Sequence, residues 1–177
     1  VALELQGQYP FLDRQELIRE HLSSVLRQKR KIEGRQNAKR EELATLLGEA
    51  HNLIEAVLKW LLKEWPIDTG SWPRKKVWSR DEAKDVFLSL GIPCVSANLA
   101  NQLAGQSLSV IADAIKRRDR PLKALLAGTI FCAAENANHP FRTLASTALD
   151  LGQLPALADF RNEVSGHATG KVASLDE

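Results

Sequence analysis

Residues 37–65, NAKREELATLLGEAHNLIEAVLKWLLKEW, decide how this chain is read. Leu43, Leu46, Leu47, Ala50, Ile54, Val57, Leu58 and Leu61 recur at steps of three and four, the spacing that lines one face of an α-helix. Pro66 then forbids a further turn. At 1.5 Å per residue such a helix is about 40 Å long, enough to form the backbone of a bundle.

Toward the N-terminus, a second long helix is expected over 13–32. Asp13 stands at its cap, Glu16 three residues on, and Ile18, Leu22, Val25 and Leu26 form one stripe. In the other direction, residues 66–79 read as a loop carrying Pro66, Gly70 and Pro73 among Trp65, Trp72 and Trp78. Those tryptophans either close one end of the core or present a partner surface, and the core reading is preferred.

Shorter helices are expected over 80–90, with Ser79 as cap and acidic residues in the first turn, then over 95–103 and 107–118. Pro121 suits the start of a helix to residue 136 that is apolar enough to be central, and two more follow over 141–149 and 155–164. Alternating apolar and polar residues, the mark of a half-buried strand, are nearly absent. The expected fold is all-α: one domain over residues 1–177, a helical bundle with two long core helices and several short ones.

Composition sets the outer limits. Hydrophobic residues at 44% and charged residues at 26% are ordinary for a packed domain. No apolar run approaches the length needed to cross a bilayer, and the first ten residues lack the order of a signal peptide, so no membrane association and a cytoplasmic location are expected. Cys94 and Cys132 stand far apart in apolar stretches, as buried free thiols do. Methionine is missing even at position 1, which suggests either a processed chain or an excised piece, such as the C-terminal part, of a longer polypeptide.

Charge is unevenly spread. Between residues 27 and 40, Arg27, Lys29, Arg30, Lys31, Arg35, Lys39 and Arg40 face a single acid, Glu33, in a chain whose net charge is only +2. Such a concentration at a helix junction can hold an RNA backbone by phosphate contacts, or can be an ordinary solvated turn. The groups Arg74-Lys75-Lys76 and 116–120 are weaker versions of the same signal.

The sharpest motif lies near the C-terminus, RNEVSGH at residues 161–167. Arg161 follows Leu157 by one helical turn, so its root is near the apolar stripe, and Gly166 can break the helix and let His167 swing back toward it. Arginine beside histidine, with no metal-ligand spacing and no Gly-rich phosphate loop in the chain, matches metal-free RNA cleavage and implies no cofactor. The guanidinium neutralises the scissile phosphate, and the imidazole takes the 2′-hydroxyl proton or gives one to the leaving oxygen. An Arg-x4–6-His match arises about once by chance in such a chain, as Arg14 and His21 illustrate, but requiring Asn162 lowers that to roughly 0.04. His51 is expected at the rim of the core and His139 in a loop.

Arg161-Asn162-x4-His167, late in an all-helical chain, resembles the active motif of HEPN domains (higher eukaryotes and prokaryotes nucleotide-binding), particularly those ending abortive-infection proteins. The resemblance is close at the motif and loose over residues 37–167. It implies a homodimer whose two motifs share one composite cleft. It also implies a metal-independent endoribonuclease of anti-phage defence or toxin–antitoxin systems. Separately, control of such an effector by another part of its parent protein or by a partner is expected. By the same likeness Arg161 contacts phosphate, Asn162 orients the site and His167 does the acid–base work. Many relatives have glycine directly after the histidine, where this chain has Ala168. Since some HEPN domains are inactive, a non-catalytic dimerisation or RNA-binding module is the alternative.

Overall fold

The computed structural model describes residues 14–33, 39–90, 97–145, 153–155, 157 and 159. The chain is all-α, as expected: α1 (Glu16–Ile32), α2 (Arg40–Glu64), α3 (Arg80–Ser89), α4 (Ala97–Leu103), α5 (Leu108–Arg117), α6 (Leu122–Glu135) and α7 (Phe141–Ala145). One antiparallel bridge, Val77 with Ser107, is the extended pairing among the described residues. Two compact units are present. The first holds the described residues up to Val57 together with Leu157 and Asp159, and the second is Leu58–Ala156, so the division falls within α2.

In the first unit, His21 Nδ1 of α1 meets Glu49 Oε2 of α2 at 3.6 Å. Of the apolar stripe on α1 only Ile18 is buried, and Leu22, Val25 and Leu26 are half-buried. The N-cap position of α1 is Gln15, whose side chain makes no capping bond, while the expected cap Asp13 lies outside the described residues. At the far end Lys29, Arg30 and Lys31 occupy the last turn, where cations complement the exposed carbonyls. The start of α2 carries Glu41 and Glu42 in its first turn, and Glu42 accepts the Lys39 backbone N–H.

The second unit is built around α6, ten of whose fourteen residues are buried. A helix apolar on every side has to be surrounded, and α3, α4, α5 and α7 all pack against it. Leu58, Leu61 and Leu62 from the end of α2, Phe87 of α3, Leu99 and Leu103 of α4 and Ile111 and Ile115 of α5 complete this core. Gly128 of α6 permits the close approach: a Cβ built there meets Ile115 Cγ1 at 3.0 Å and Leu62 Cδ2 at 3.4 Å. Cys132 is a buried free thiol, as its apolar setting suggested, with a pKa pushed by burial up to about 12. Cys94 lies outside the described residues.

Local chemistry sets the boundaries. Ser79 and Glu82 form a capping box at α3: the Ser79 hydroxyl accepts the Glu82 N–H at 3.2 Å and Glu82 accepts the Ser79 N–H at 3.0 Å. Hydrogen bonds from the Lys76 ammonium and from Ser79 hold the Glu82 carboxyl down at about 2, against an ordinary 4.5. Ser107 caps α5 by accepting the Val110 N–H. Gly105, at φ +89, makes the turn before it and donates its N–H to the Trp78 carbonyl.

Loop 66–79 is stitched to this turn, since Trp78 N–H donates to Gln106 O and Leu108 N–H to Lys76 O, each at 2.8 Å. Trp78 is 2% exposed and packs on Phe131 and Phe87, so the core reading holds for it, while Trp65 and Trp72 are half-buried.

Candidate nucleic-acid interface

Arg161, Asn162, His167 and Arg35 lie outside the described residues. The basic cluster is described in part: Arg27, Lys29, Arg30 and Lys31 on α1, Lys39 just before α2 and Arg40 as its first residue. Arg27, Lys29, Arg30, Lys31 and Lys39 are all exposed.

At about 100° per residue, Arg27, Arg30 and Lys31 fall within an arc of about 100° on α1. Ile18, Leu22 and Val25 occupy the opposite side of the helix, with Leu26 at the edge of that stripe nearer Arg30. Lys29 lies in line with that apolar stripe rather than with the other cations, so the helix separates it from them. The outer face therefore carries three cations within five residues, a spacing suited to adjacent phosphates of one strand. Glu16 and Glu20 lie on the same outer side at the opposite end of α1, so the helix is acidic where it begins and basic where it ends, which also complements its dipole.

The two basic groups that looked weaker in sequence behave differently. Arg74, from the loop, and Lys116 and Arg117, from the end of α5, line one cavity of ≈ 330 Å³ together with Thr69, Trp72 and Asp113. Lys76 is drawn away to Glu82, and Arg120 pairs with Asp113. Lys116 lies 42 positions after Arg74, and the stitching of the loop to the α5 cap brings them together. The signal available in sequence was the polar side of α5, where Ser109, Asp113, Lys116 and Arg117 recur at helical spacing opposite Ile111, Ala114 and Ile115.

Two histidines are more enclosed than their sequence surroundings suggest. His51 is buried, not at the rim, with Glu55 3.8 Å away one turn on. His139 does stand in a loop, yet it is 1% exposed and accepts the Phe141 backbone N–H through Nδ1 at 3.1 Å, starting α7. Beside it Arg142 donates through Nε to the carbonyls of Ala133 (2.7 Å) and Asn136 (3.1 Å) and through Nη2 to that of Ala134 (2.9 Å), closing the end of α6. His139 and Arg142 thus have structural work.

No protein-family model, curated protein or solved structure matches the chain. Among the described residues, no helix is long and apolar enough to cross a membrane.

Proposed function

We propose that this chain is a metal-independent endoribonuclease effector that cleaves RNA by attack of the 2′-hydroxyl on the adjacent phosphate. The observation carrying this reading is the motif Arg161-Asn162-x4-His167, whose residue types supply the two requirements of that reaction, a cation for the phosphate and a group that moves protons near neutral pH. In the step, the 2′-oxygen forms a bond to phosphorus as His167 removes its proton, the bond from phosphorus to the 5′-oxygen breaks, and that oxygen takes up a proton. Arg161 balances the charge gathering on the phosphate, and Asn162 orients the pair. The substrate must be RNA, because DNA has no 2′-hydroxyl.

The exposed face of Arg27, Arg30 and Lys31 supports the reading, since a single strand has to be held while it is cut. Action as a homodimer with a composite cleft, in defence or toxin–antitoxin systems, belongs to the same proposal through the HEPN resemblance, and control by a further domain or partner is part of it. Product analysis tests the reaction. Cleavage by this route leaves a 2′,3′-cyclic phosphate and a 5′-hydroxyl, and a strand with 2′-deoxyribose at the cleaved position resists. Products with 5′-phosphate ends, or equal cutting of the deoxy-substituted strand, would remove the mechanism. RNA binding with no cleavage would leave the chain a binding or dimerisation module.

A further inference from the structure

We infer that the cavity between loop 66–79 and α5 binds a compact phosphorylated small molecule, its phosphates held by Arg74, Lys116 and Arg117 and hydrogen-bonded by Thr69. This site shares no residue with the ribonuclease motif or the basic face of α1.

Three cations project around one cavity of ≈ 330 Å³, and the single carboxylate lining it, Asp113, is already engaged by Arg120. The charge left over is positive and concentrated, which suits a di- or triphosphate better than a singly charged acid. A cavity of this size lies at the lower end of the range for small-molecule sites. Cations gathered around a hollow favour a compact polyanion, whereas a polymer backbone is tracked by cations strung along a groove.

Thr69 supplies the second, independent observation. It is only 4% exposed and lines the cavity, yet its Oγ1 is buried without a hydrogen-bond partner. Leaving a buried hydroxyl unsatisfied is unfavourable, and a phosphate oxygen seated against it supplies the missing partner. Trp72, half-buried and packed at 4.8 Å on Phe131, forms an aromatic wall on which a nucleobase or other flat group can rest.

The test is calorimetric titration of the whole chain with pyrophosphate and with a nucleoside diphosphate at constant ionic strength, alongside a ten-nucleotide RNA. Saturable binding of pyrophosphate is expected, with the nucleoside diphosphate tighter if Trp72 carries a base. The exposed Arg74→Ala and Lys116→Ala/Arg117→Ala changes should each weaken binding about tenfold or more. Thr69→Val should also weaken binding while leaving the melting temperature of the ligand-free protein unchanged or higher, because the removed hydroxyl has no protein partner to lose. No saturable binding of either small anion, binding indifferent to these substitutions, or binding of the RNA alone would overturn the assignment. None of those outcomes bears on cleavage through Arg161 and His167.

Discussion

The His139 imidazole stands 5.4 Å from the Trp65 indole, the rings inclined at 54°. Acceptance of the Phe141 N–H by Nδ1 places the proton of the neutral ring on Nε2, which is buried. Burial first, and the neighbouring Arg142 charge second, lower the pKa of this histidine to about 4.

A pH dependence of stability follows. The unfolded chain binds a proton at His139 near the ordinary 6.5, while the folded protein resists it down to about 4. The His139 contribution to stability is therefore complete above about pH 6.5, falls as the pH drops, and levels off below about 4, with a loss of at most about 3–4 kcal/mol. Glu82 acts in a lower window: its contribution is present above 4.5 and is lost as the pH falls through about 2. Urea unfolding between pH 7 and 4 should show a steep decline in the wild type and a flatter one in His139→Asn. Parallel curves for the two proteins would refute the assignment.

Arg142 is expected to be a stability residue rather than a ligand of phosphate. Its guanidinium satisfies three carbonyls around the end of α6, so Arg142→Met should cost about 1–3 kcal/mol. The fall in denaturation midpoint should occur without change in the denaturant slope, and a variant as stable as the wild type would show that water serves those carbonyls equally well.

Packing around α6 has no spare room at Gly128. Alanine there gains about 1 kcal/mol of helix propensity but presses its methyl on Ile115 and Leu62, at an overpacking cost of about 1–3 kcal/mol. Gly128→Ala should thus be destabilising overall, and Ile115→Val beside it should relieve part of the loss in a double-mutant cycle. A stabilised Gly128→Ala protein would mean that the helices separate at little cost.

On the outer face of α1, replacing Arg27, Arg30 and Lys31 together by alanine should weaken single-stranded RNA binding and lower the slope of log affinity against log salt by about 2. Lys29→Ala, on the other side of the helix, should change that slope less. Equal effects from both would show that the cluster acts only through its total charge.

Features set by adjacent residues were legible in the chain. Ser79 caps α3 with acids in its first turn, Pro121 opens α6 and the apolar character of 122–135 marks the central helix, because each depends on contacts within one or two turns. Burial of His139 was not legible, since its partner Trp65 is 74 residues away and nothing near His139 announces it. Likewise the stripe on α1 suggested a core helix, yet only Ile18 among its residues is fully buried. The meeting of Arg74 with Lys116 and Arg117 depends on backbone bonds between loop 66–79 and the α5 turn, which no local pattern encodes. Of the candidate site, the face of Arg27, Arg30 and Lys31 follows from helical spacing, while Arg161, Asn162 and His167 rest on sequence alone.

The most direct measurement is cleavage of mixed cellular RNA, in excess chelator, by the purified wild-type protein and by Arg161→Ala and His167→Ala proteins with unchanged circular dichroism and melting temperature. Ribonuclease action by this motif predicts cutting by the wild type that persists in chelator and falls by at least about a hundredfold in each variant. Undiminished cutting by both variants, or intact RNA with all three proteins, would contradict it.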